Sequence, residues 1–578
     1  MKKNLKKLLA AILALTMVLG VTACGNEKTN IQDGTEPSEQ VQQIPNPVKC
    51  TELGTPLADL RVRQALAHAI DMDTVIEALF YGNGRRAVSF TQPGPWLNPE
   101  VQAYDYDPEK AKELLAEAGW PSDYVLDVVY YYDDQLTEDV LRVIGTYWDA
   151  VGVKSSFRKL EGDLTAQLWA VPENPAEDDS AVDWDLAYGA VAALSESEFY
   201  NRFASFASNN SHTPPVEGLD ELISLAAVAP DEAAQKELYG RIQQILAENL
   251  SAIPLYHQDC FIYTSDYLNT GSAVAGNDQF AYDKDILNWT ITREDNTLYT
   301  NGGPVEFYSD PTVNPGQYLY QELVFERLLN ADSRLNPTDG QLAESYTLSD
   351  DGKTAEFILR EELLWQDGEP LTAEDVKFTF ELYMKCPGAN SVLTGVLDAL
   401  EGAESWKSGK AEDCTGIVIE ENKITFRFDE ARADALKVFS QWPVLPKHCL
   451  ENVKPEKLQQ SDFWKSPVGS GPYRVGQTEF GDHCILERWE EYRITGDGNI
   501  DRIYMAASGE TDENLVVWAR MDQLDYAWGK STDEAAAIEQ IEGMGAEKVQ
   551  IPYTRCFFIN QYPHESFHTA QETTEPEA

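Results

Sequence analysis

The chain has 578 residues, of which 43% are hydrophobic, and a formal net charge of −52 at pH 7. Its length and apolar content predict a globular protein with two or more domains and a large core. Because so negative a surface repels nucleic acid and anionic lipid headgroups, neither is an expected partner.

The amino terminus has the pattern of a bacterial lipoprotein signal peptide at residues 1–23. A basic segment, residues 1–7, precedes an apolar run, residues 8–20, that is too short to span a membrane. The tetrapeptide ending at Cys24 matches a lipoprotein cleavage box, so Cys24 is predicted to carry the lipid. Residues 24–54 are polar and are predicted to form a flexible tether. The alternative is an ordinary signal peptide followed by a chance cysteine.

Seven further cysteines are scattered along the chain, and an odd, dispersed set does not make a disulfide framework. One bridge could form in an oxidising compartment, but the sequence does not pair the residues. His448 beside Cys449 and His483 beside Cys484 suggest zinc ligands, yet each pair lacks the second short-range pair of a structural site. No metal and no other cofactor is therefore predicted.

Residues 55–268 are predicted to alternate helices with strands. Asp107 and Pro108 mark the start of one helix, and Gly119 marks its end. A strand at 125–132, an apolar-faced helix and a strand at 153–160 then form a βαβ unit, so the sheet is expected to be partly parallel. A short strand at 183–189 and two amphipathic helices, near 217–228 and 231–249, complete this stretch.

Two segments of this stretch are specific enough to suggest a family. Residues 56–71 read PLADLRVRQALAHAID, and residues 106–120 read YDPEKAKELLAEAGW. They resemble the segments PLxDxRVRQALxxAID and YDPEKAKxLLxEAG of the bacterial extracellular solute-binding proteins of family 5, the oligopeptide-binding type. Since both segments belong to the carboxy-terminal half of that family, residues 55–268 are expected to form the corresponding lobe.

The following stretch resembles the amino-terminal half of the same family. Its matching segments are LAESYTLSDDGK at 342–353, WQDGEPLTAEDV at 365–376, LPKH at 445–448 and PVGSGPY at 467–473. Within the second segment, Thr372 and Asp375 predict a helix capping box. The resemblance implies the following division: a connector at 269–296, a second lobe from 297–329 and 443–560, an inserted subdomain at 330–442, and a disordered tail at 561–578.

The two halves therefore stand in the opposite order from that of the family. Family members run from a strand ending in FN directly into PLxDxRVRQAL, whereas here the corresponding strand ends the folded chain at Asn560 and the segment begins it at Pro56. The resemblance predicts an α/β protein with a two-lobed, type II periplasmic-binding-protein-like fold in circularly permuted order. The alternative is a gene-assembly artefact or a split pseudogene.

No catalytic motif was found: the chain lacks a G-x-S-x-G elbow, a Walker loop, H-E-x-x-H and a Rossmann glycine pattern. The protein is therefore not expected to be an enzyme. The resemblance implies a monomeric, lipid-anchored receptor on the extracytoplasmic face of a bacterial cell membrane. It would capture oligopeptides between its lobes and deliver them to the permease and ATPase subunits of an ABC transporter. Two alternatives remain open: a non-peptide solute such as an oligosaccharide or nickel complex, and a surface sensor or interaction protein without transport.

Candidate ligand-binding residues are aromatic and polar side chains near predicted strand ends, where solute pockets form. An acidic residue should meet the ammonium end of a peptide, and Asp185 is the first choice, with Asp183 as the alternative. The remaining candidates are Tyr188, Tyr308, Trp442, Tyr473, Trp528 and Asn560.

Overall fold

The computed structural model describes residues 48–564 except for residues 133, 163, 173–178, 193–194, 208–209, 211, 230, 272–285, 304–318, 333–335, 388, 433 and 508–513. The predicted signal peptide, Cys24, Tyr308 and residues 565–578 lie outside the described residues. Among the described residues, no helix is both long and apolar enough to cross a bilayer.

The described helices are mostly short, and five single-turn 3₁₀ segments accompany them. In chain order the α-helices are α1 Leu60–His68, α2 Met72–Leu79, α3 Pro108–Ala118, α4 Gln135–Ala150, α5 Leu164–Trp169, α6 Glu196–Tyr200, α7 Leu219–Ala227, α8 Glu232–Asn249, α9 Leu319–Val324, α10 Ala373–Tyr383, α11 Ser391–Leu397, α12 Ala403–Lys407, α13 Ala435–Gln441, α14 Lys447–Leu450, α15 Leu515–Arg520 and α16 Thr532–Glu539. The 3₁₀ segments are Cys50–Glu52, Pro56–Ala58, Asn201–Phe203, Pro455–Lys457 and Asp462–Lys465.

Most described strands belong to one large mixed sheet, and the others form smaller sheets. They are β1 Gly84–Arg86, β2 Val125–Tyr130, β3 Lys154–Lys159, β4 Leu186–Ala192, β5 Ala252–Ser265, β6 Leu268–Asn269, β7 Thr290–Ile291, β8 Thr297–Gly303, β9 Leu329–Ala331, β10 Pro337–Gly340, β11 Ala343–Leu348, β12 Thr354–Leu359, β13 Ile417–Glu420, β14 Lys423–Arg427, β15 Tyr473–Glu479, β16 His483–Arg488, β17 Arg502–Ala507, β18 Tyr526–Gly529 and β19 Met544–Ile559. This mixture of helices and sheet confirms the predicted α/β class.

The large sheet runs in the order β15-β16-β17-β8-β18-β5-β19-β4-β2-β3, with β1 paired to β5. At one end, β2, β3 and β4 are parallel neighbours, which confirms the predicted βαβ unit. Towards the other end, β8 pairs in parallel with β17 and with β18. Two sets of parallel strands, one from each stretch of the chain, therefore lie in a single sheet.

The long strands β5 and β19 connect these two sets. They pair antiparallel from Met544 opposite Ser265 to Phe558 opposite Ala252, with irregular register near the middle. The second half of β19 also pairs with β4, and the second half of β5 also pairs with β18. Strand β19 thus pairs with the first set through β4, strand β5 pairs with the second set through β18, and the pairing of β5 with β19 joins the two sets.

Alternation along β19 builds cores on both faces of the sheet. Phe557 and Ile559 pack into a cluster with α1, α2 and α4, whereas Cys556 and Phe558 pack into a separate cluster with α7 and α8. A larger cluster fills the second stretch and extends over the four-stranded sheet β11-β12-β14-β13. Strand β19 is therefore buried on both faces where it pairs with β4.

Local predictions from the sequence agree with the observed helix ends. Asp107 caps α3 through the backbone of Lys110, and Gly119 ends that helix in the left-handed conformation, with φ of 72°. Thr372 and Asp375 form the predicted capping box at the start of α10. These caps satisfy backbone groups that the helix itself leaves unpaired.

The two ends of the packed chain lie side by side. A Cβ built on Gly54 would lie 3.1 Å from Cγ of Pro563. Packing extends further than the sequence predicted at both ends: Cys50, placed in the tether, is fully buried, and so is His564, placed in the tail. The reason is local anchoring, because Arg61 donates to the Val48 carbonyl and the His564 imidazole contacts two carboxylates.

A buried ion pair fastens the predicted connector to the second stretch. The Arg293 guanidinium contacts both carboxylate oxygens of Asp525, with the closest approach at 2.8 Å. Asp525 is 0% exposed, and its carboxylate also accepts hydrogen bonds from the Ser265 hydroxyl and the Tyr299 backbone N–H. If the Arg293 side chain is removed, the buried negative charge of Asp525 has no positive charge beside it.

Replacing Arg293 by methionine should therefore lower the free energy of unfolding by about 3 to 5 kcal/mol. Urea denaturation of the purified variant measures this loss. Arg142→Met is the matched control, because its pair with Asp139 is exposed and should contribute less than about 1 kcal/mol. Equal stability of the Arg293 variant and the parent would contradict the assignment.

The His564 imidazole should make the stability of the chain depend on pH. Burial lowers the pKa of His564, but hydrogen bonds and charge from Asp185, and then Asp183, raise the pKa by more, so its value in the folded chain lies above the usual one. A raised pKa adds stability below the unfolded value of about 6.5, and this contribution disappears as the pH rises through the folded pKa.

His564→Gln should accordingly destabilise the chain more at about pH 5.5 than at about pH 9, as measured by urea unfolding. His68→Gln serves as the control, because the hydrogen bond that the described residues make to the His68 ring involves a backbone carbonyl and no carboxylate. A loss that is the same at both pH values would show that the charge on His564 has no part in the effect.

Candidate functional site

The carboxyl ends of the two parallel strand sets meet beside β5 and β19, which we call the crossing strands. β2 runs directly into Tyr131 and Tyr132, and β18 runs into Lys530. Tyr553 of β19 lies opposite Ala192, the last residue of β4. In open α/β sheets, ligands bind outside the carboxyl ends of parallel strands, so this meeting point is the candidate site.

Eight side chains at this point form what we call the crossing cluster. They are Tyr131, Tyr132, Tyr188, Gln258, Trp528, Lys530, Tyr553 and Arg555. Four come from the first stretch (β4, β5 and the end of β2), and four come from β18, its end and β19. The cluster is therefore assembled from both stretches of the chain.

Arg555 lies at the centre of the aromatic rings. Its guanidinium carbon is 3.8 Å from the ring centroid of Tyr132, 5.1 Å from that of Tyr553 and 5.7 Å from that of Tyr188. Its Nε donates to Oε1 of Gln258 at 2.9 Å. These contacts are of the cation–π kind, in which the ring face attracts the charge.

The remaining rings extend this surface. Tyr131 stacks on Tyr132 with centroids 4.3 Å apart. The Lys530 ammonium lies 4.2 Å from the centroid of Tyr553 and 5.5 Å from that of Trp528. Trp528 is half-buried, and its indole N–H has no hydrogen-bond partner among the described residues. Aromatic ring faces and a buried, unpaired indole N–H therefore lie together at this point.

Two tyrosines of the cluster, Tyr132 and Tyr188, are neutral groups. Burial raises the pKa of Tyr132, and burial likewise raises the pKa of Tyr188. Neither phenol therefore supplies a negative charge to Arg555 at neutral pH. The nearby carboxylate of Asp259 is compensated separately, because it contacts Arg85 at 3.1 Å and Lys548 at 3.8 Å.

Two of the candidate residues predicted from the sequence, Trp528 and Tyr188, lie in the crossing cluster. Trp528 presents its half-buried ring beside Lys530. Tyr188 is fully buried, and its hydroxyl shares a 2.8 Å hydrogen bond with Tyr256, so its ring forms part of the floor of the cluster.

Asp185 and Asn560 lie together near the amino-terminal end of β4, away from the crossing cluster. Asp185 immediately precedes β4, whereas the cluster lies at the carboxyl end of that strand. The Asp185 carboxylate accepts hydrogen bonds from the Tyr124 hydroxyl and the Asp127 N–H and contacts His564. Asn560 binds the backbone of Trp184 and Asp185.

These bonds hold the chain end in place and occupy the polar atoms that were assigned to a ligand. The alternative acid, Asp183, is half-exposed and lies 3.2 Å from Nδ1 of the same His564.

Two further candidates are buried in the core of the second stretch. The Trp442 ring packs against Tyr383 with centroids 4.6 Å apart, and the Tyr473 hydroxyl donates to the Ile500 carbonyl. Both side chains are 0% exposed, so the structure uses them for packing away from the crossing cluster. Tyr308 lies outside the described residues.

Sequence reasoning missed the central residues Tyr132, Tyr553 and Arg555. One signal was present, since three consecutive tyrosines, 130–132, end a predicted strand and point to the carboxyl edge of the sheet. Arg555 interrupts an apolar strand, which also marks it as unusual. What the sequence lacked was the register that places these positions side by side.

Other features of the described residues fit a ligand less well. A cavity of about 50 Å³ beside Tyr104, Tyr200 and Ile253 holds a few water molecules at most. Asp367, His448 and Cys449 bring donor atoms within 4.8 Å of one another. However, Nε2 of His448 already bonds Asp367, and burial raises the pKa of the Cys449 thiol to about 11.

Comparison with curated proteins gives partial matches. The chain is 30% identical over 217 residues to Heme-binding protein A of Haemophilus influenzae, which covers 35% of this chain and 37% of that protein. It is 28% identical over 214 residues to the Dipeptide-binding protein of Escherichia coli, covering 36% of this chain and 39% of that protein. The matched stretches thus span less than two fifths of these relatives.

Comparison with solved structures also gives partial matches. A periplasmic oligopeptide-binding protein of an ABC transporter from Thermotoga maritima is 27% identical, with a TM-score of 0.32 over 40% of this chain and 41% of that one. Beyond single relatives, the sequence model of the bacterial extracellular solute-binding proteins, family 5 Middle, matches residues 23–211 and 338–571. Because this match covers well over half of the 578 residues, the chain belongs to the bacterial extracellular solute-binding proteins of family 5.

Proposed function

We propose that this chain is a receptor that captures oligopeptides at the crossing cluster and delivers them to the permease of an ABC transporter. The observation that carries the proposal is the meeting of the carboxyl ends of two parallel strand sets beside β5 and β19. A relative of similar sequence is named a dipeptide-binding protein, which supports a peptide as the cargo. The sequence pattern at Cys24 supports attachment to the outer face of the membrane through a lipid.

The chemistry of the cluster suits a peptide. Aromatic faces offer large apolar area, while Trp528 and Gln258 supply polar atoms that can orient a backbone. Closure of the two stretches around the solute would give the permease a state to recognise. Arg432 of the predicted insert already donates to the Ala227 carbonyl at the end of α7, so contacts between the stretches exist beyond the crossing strands.

A second candidate is a non-peptide solute, and the stacked pair Tyr131–Tyr132 favours it. Stacked rings with a 28° interplanar angle offer a broad aromatic face that would also accept a sugar or another planar group. The role as a receptor is the same in both candidates, and only the cargo differs.

Tryptophan fluorescence distinguishes these cargoes. Adding a mixture of tripeptides should give a saturable change in emission, because Trp528 lies in the cluster. Trp528→Phe should remove most of that change, whereas Trp406→Phe, a substitution in α12, should retain it. A saturable response to oligosaccharides alone would favour the second candidate, and no response to any peptide would contradict the first.

We also propose that the order of the two halves is a functional circular permutation. The support is the contact between Gly54 and Pro563, which a short link could bridge. Under this proposal, one of the covalent connections between the two lobes has been replaced by the free ends of the chain. The hydrogen-bonded pairing of β5 with β19 then holds the two lobes together in place of that connection.

Joining His564 to Val48 through a flexible linker of about ten residues, which keeps the packed segment around Cys50, and opening the chain between Gly271 and Ile286 should leave folding and ligand affinity unchanged. Circular dichroism and urea unfolding measure the first, and calorimetric titration measures the second. Opening the joined chain between Tyr256 and His257 instead should abolish cooperative unfolding, because this cut divides β5. Failure of the first rearranged chain to fold would overturn the proposal.

A further inference from the structure

A polar contact joins the predicted insert to the first stretch and shares no residue with the crossing cluster. The Arg432 guanidinium donates to the Ala227 carbonyl at 3.2 Å, and the Asn390 side-chain amide lies 3.5 Å from Oε1 of Glu198. Three more ionisable side chains interact in the same region. We call this region the insert contact, and its members are Glu196, Glu198 and Ala227 of the first stretch and Asn390, Arg432, Asp434 and Lys437 of the insert.

Two carboxylates of the insert contact are partly removed from water. Glu196 and Asp434 are both half-buried. The Thr91 hydroxyl donates to Oε2 of Glu196 at 2.7 Å, whereas Oδ1 of Asp434 is buried without a hydrogen-bond partner among the described residues. A buried, ionised carboxylate needs hydrogen bonds and a positive charge beside it, so the charge state of these two acids depends on the nearby cations.

Lys437 is the cation that faces both acids. Its ammonium interacts electrostatically with four carboxylates, those of Asp434, Glu196, Glu232 and Asp332. Arg432, the other cation of the contact, also lies 3.7 Å from Oε2 of Glu430. With Glu196 and Asp434 both ionised, negative charge therefore exceeds positive charge here, and an added proton reduces the excess.

The pKa values of the two acids reflect this shortage of positive charge. Burial raises the pKa of Glu196 to about 7, although the hydrogen bond from Thr91 and the charge of Lys437 act in the opposite direction. Burial also raises the pKa of Asp434, against the charges of Lys437 and Arg432. Both groups therefore bind a proton more readily inside the contact than they would in water.

The tyrosines packed around the contact carry no charge. Tyr200 lies in the same helix as Glu196, and burial raises its pKa. Tyr239 of α8 interacts with both Asp434 and Glu196, and burial raises the pKa of this phenol as well. Neither ring supplies or removes charge near neutral pH, so Lys437 and burial are what control the two acids.

We propose that protonation of the insert contact favours closure of the two stretches on each other, and that loss of the proton as the pH rises opens them. This inference rests on the proposed receptor function and names a regulation of it, in which solute is held more tightly in a mildly acidic medium. The contact spans the insert and the first stretch, so its charge acts on the same movement that would enclose a solute.

The sign of the effect follows from linkage. Opening would return Glu196 and Asp434 to water and to their ordinary pKa range, so closure takes up a proton. For Glu196, this contribution to closure is complete below the ordinary pKa of about 4.5 and is lost as the pH rises through about 7. Lys437 acts in the opposite sense, because burial lowers its pKa and thereby favours closure at alkaline pH.

Small-angle X-ray scattering of the ligand-free chain measures closure without any solute. The equilibrium constant for closure should fall on the order of tenfold between about pH 6 and about pH 8, because Glu196 releases its proton within this range. The radius of gyration should therefore increase across the range, with a midpoint close to a pH of about 7.

Variants identify the groups that are responsible. Glu196→Gln keeps an acceptor for Thr91 but does not titrate, so this variant should be as compact at about pH 8 as the parent is at about pH 6. Adding Asp434→Asn should remove what remains of the pH response. Glu138→Gln is the matched control, because Glu138 is exposed on α4, and it should respond as the parent does.

Lys437→Met gives a test that does not require the double variant to fold. Without the cation, both acids should keep their protons to higher pH in the closed state, so the response should become larger and its midpoint should rise. A lysine with a purely structural role would instead change the radius of gyration equally at both pH values, and that result would contradict the proposal.

The remaining outcomes are separable from those of the receptor proposal. An unchanged radius of gyration of the parent between about pH 6 and about pH 8 overturns the role of the insert contact, and so does a parent-like response of the folded double variant. Either result leaves the receptor proposal standing, because solute binding is measured by fluorescence. A chain that closes as described but binds neither peptides nor oligosaccharides contradicts the receptor function and leaves the role of the contact intact.

Discussion

The antiparallel pairing of β5 with β19 holds two stretches of the chain in one sheet. Strand β19 pairs with the parallel set of the first stretch through β4, and strand β5 pairs with the parallel set of the second stretch through β18. Because β5 lies at the end of the first stretch and β19 at the end of the second, their hydrogen bonds join parts that are far apart in the sequence. The rest of the architecture depends on this ladder, since the candidate site and both chain ends are positioned by it.

The same pairing explains where chemistry can occur. The parallel strands of both sets direct their carboxyl ends towards the middle of the crossing pair, where the ladder is irregular near Gln550 and Thr554. Tyr553 and Arg555 flank that position, so the crossing strand contributes side chains as well as connection. At the other end of β19, Asn560 and His564 fasten the chain end to the loop before β4. Strand β19 thus contributes side chains to the candidate site near its middle, and the residues that fasten the chain end follow directly after it.

Much of the fold was predictable because it depends on local signals. Caps such as Asp107 and Thr372, and the apolar period of the βαβ unit, act within a few residues, and the α/β class follows from them. The expectation of binding rather than catalysis is confirmed at the level of the family. The site was predicted less well, because a strand residue does not reveal which end of the sheet it occupies. Asp185 and Tyr188 are three residues apart, yet the first lies at the anchor and the second in the cluster.

The sequence placed Cys50 and His564 outside the folded part of the chain for a similar reason. Cys50 and His564 stand in polar segments that lack apolar periodicity, and their burial results from partners distant in sequence, Arg61 with Val48 at one end and Asp183 with Asp185 at the other. Only tertiary contact reveals such anchoring.

Native-state hydrogen exchange tests the central role of the crossing pair most directly. If the ladder joins the two stretches, backbone amides of β5 and β19 between Ala252 and Ser265 and between Ile551 and Ile559 should exchange together, and only through global unfolding. Exchange of β19 through a lower-energy opening, while β2 and β4 stay protected, would contradict the account, because the two stretches would then be held together by something other than this pairing.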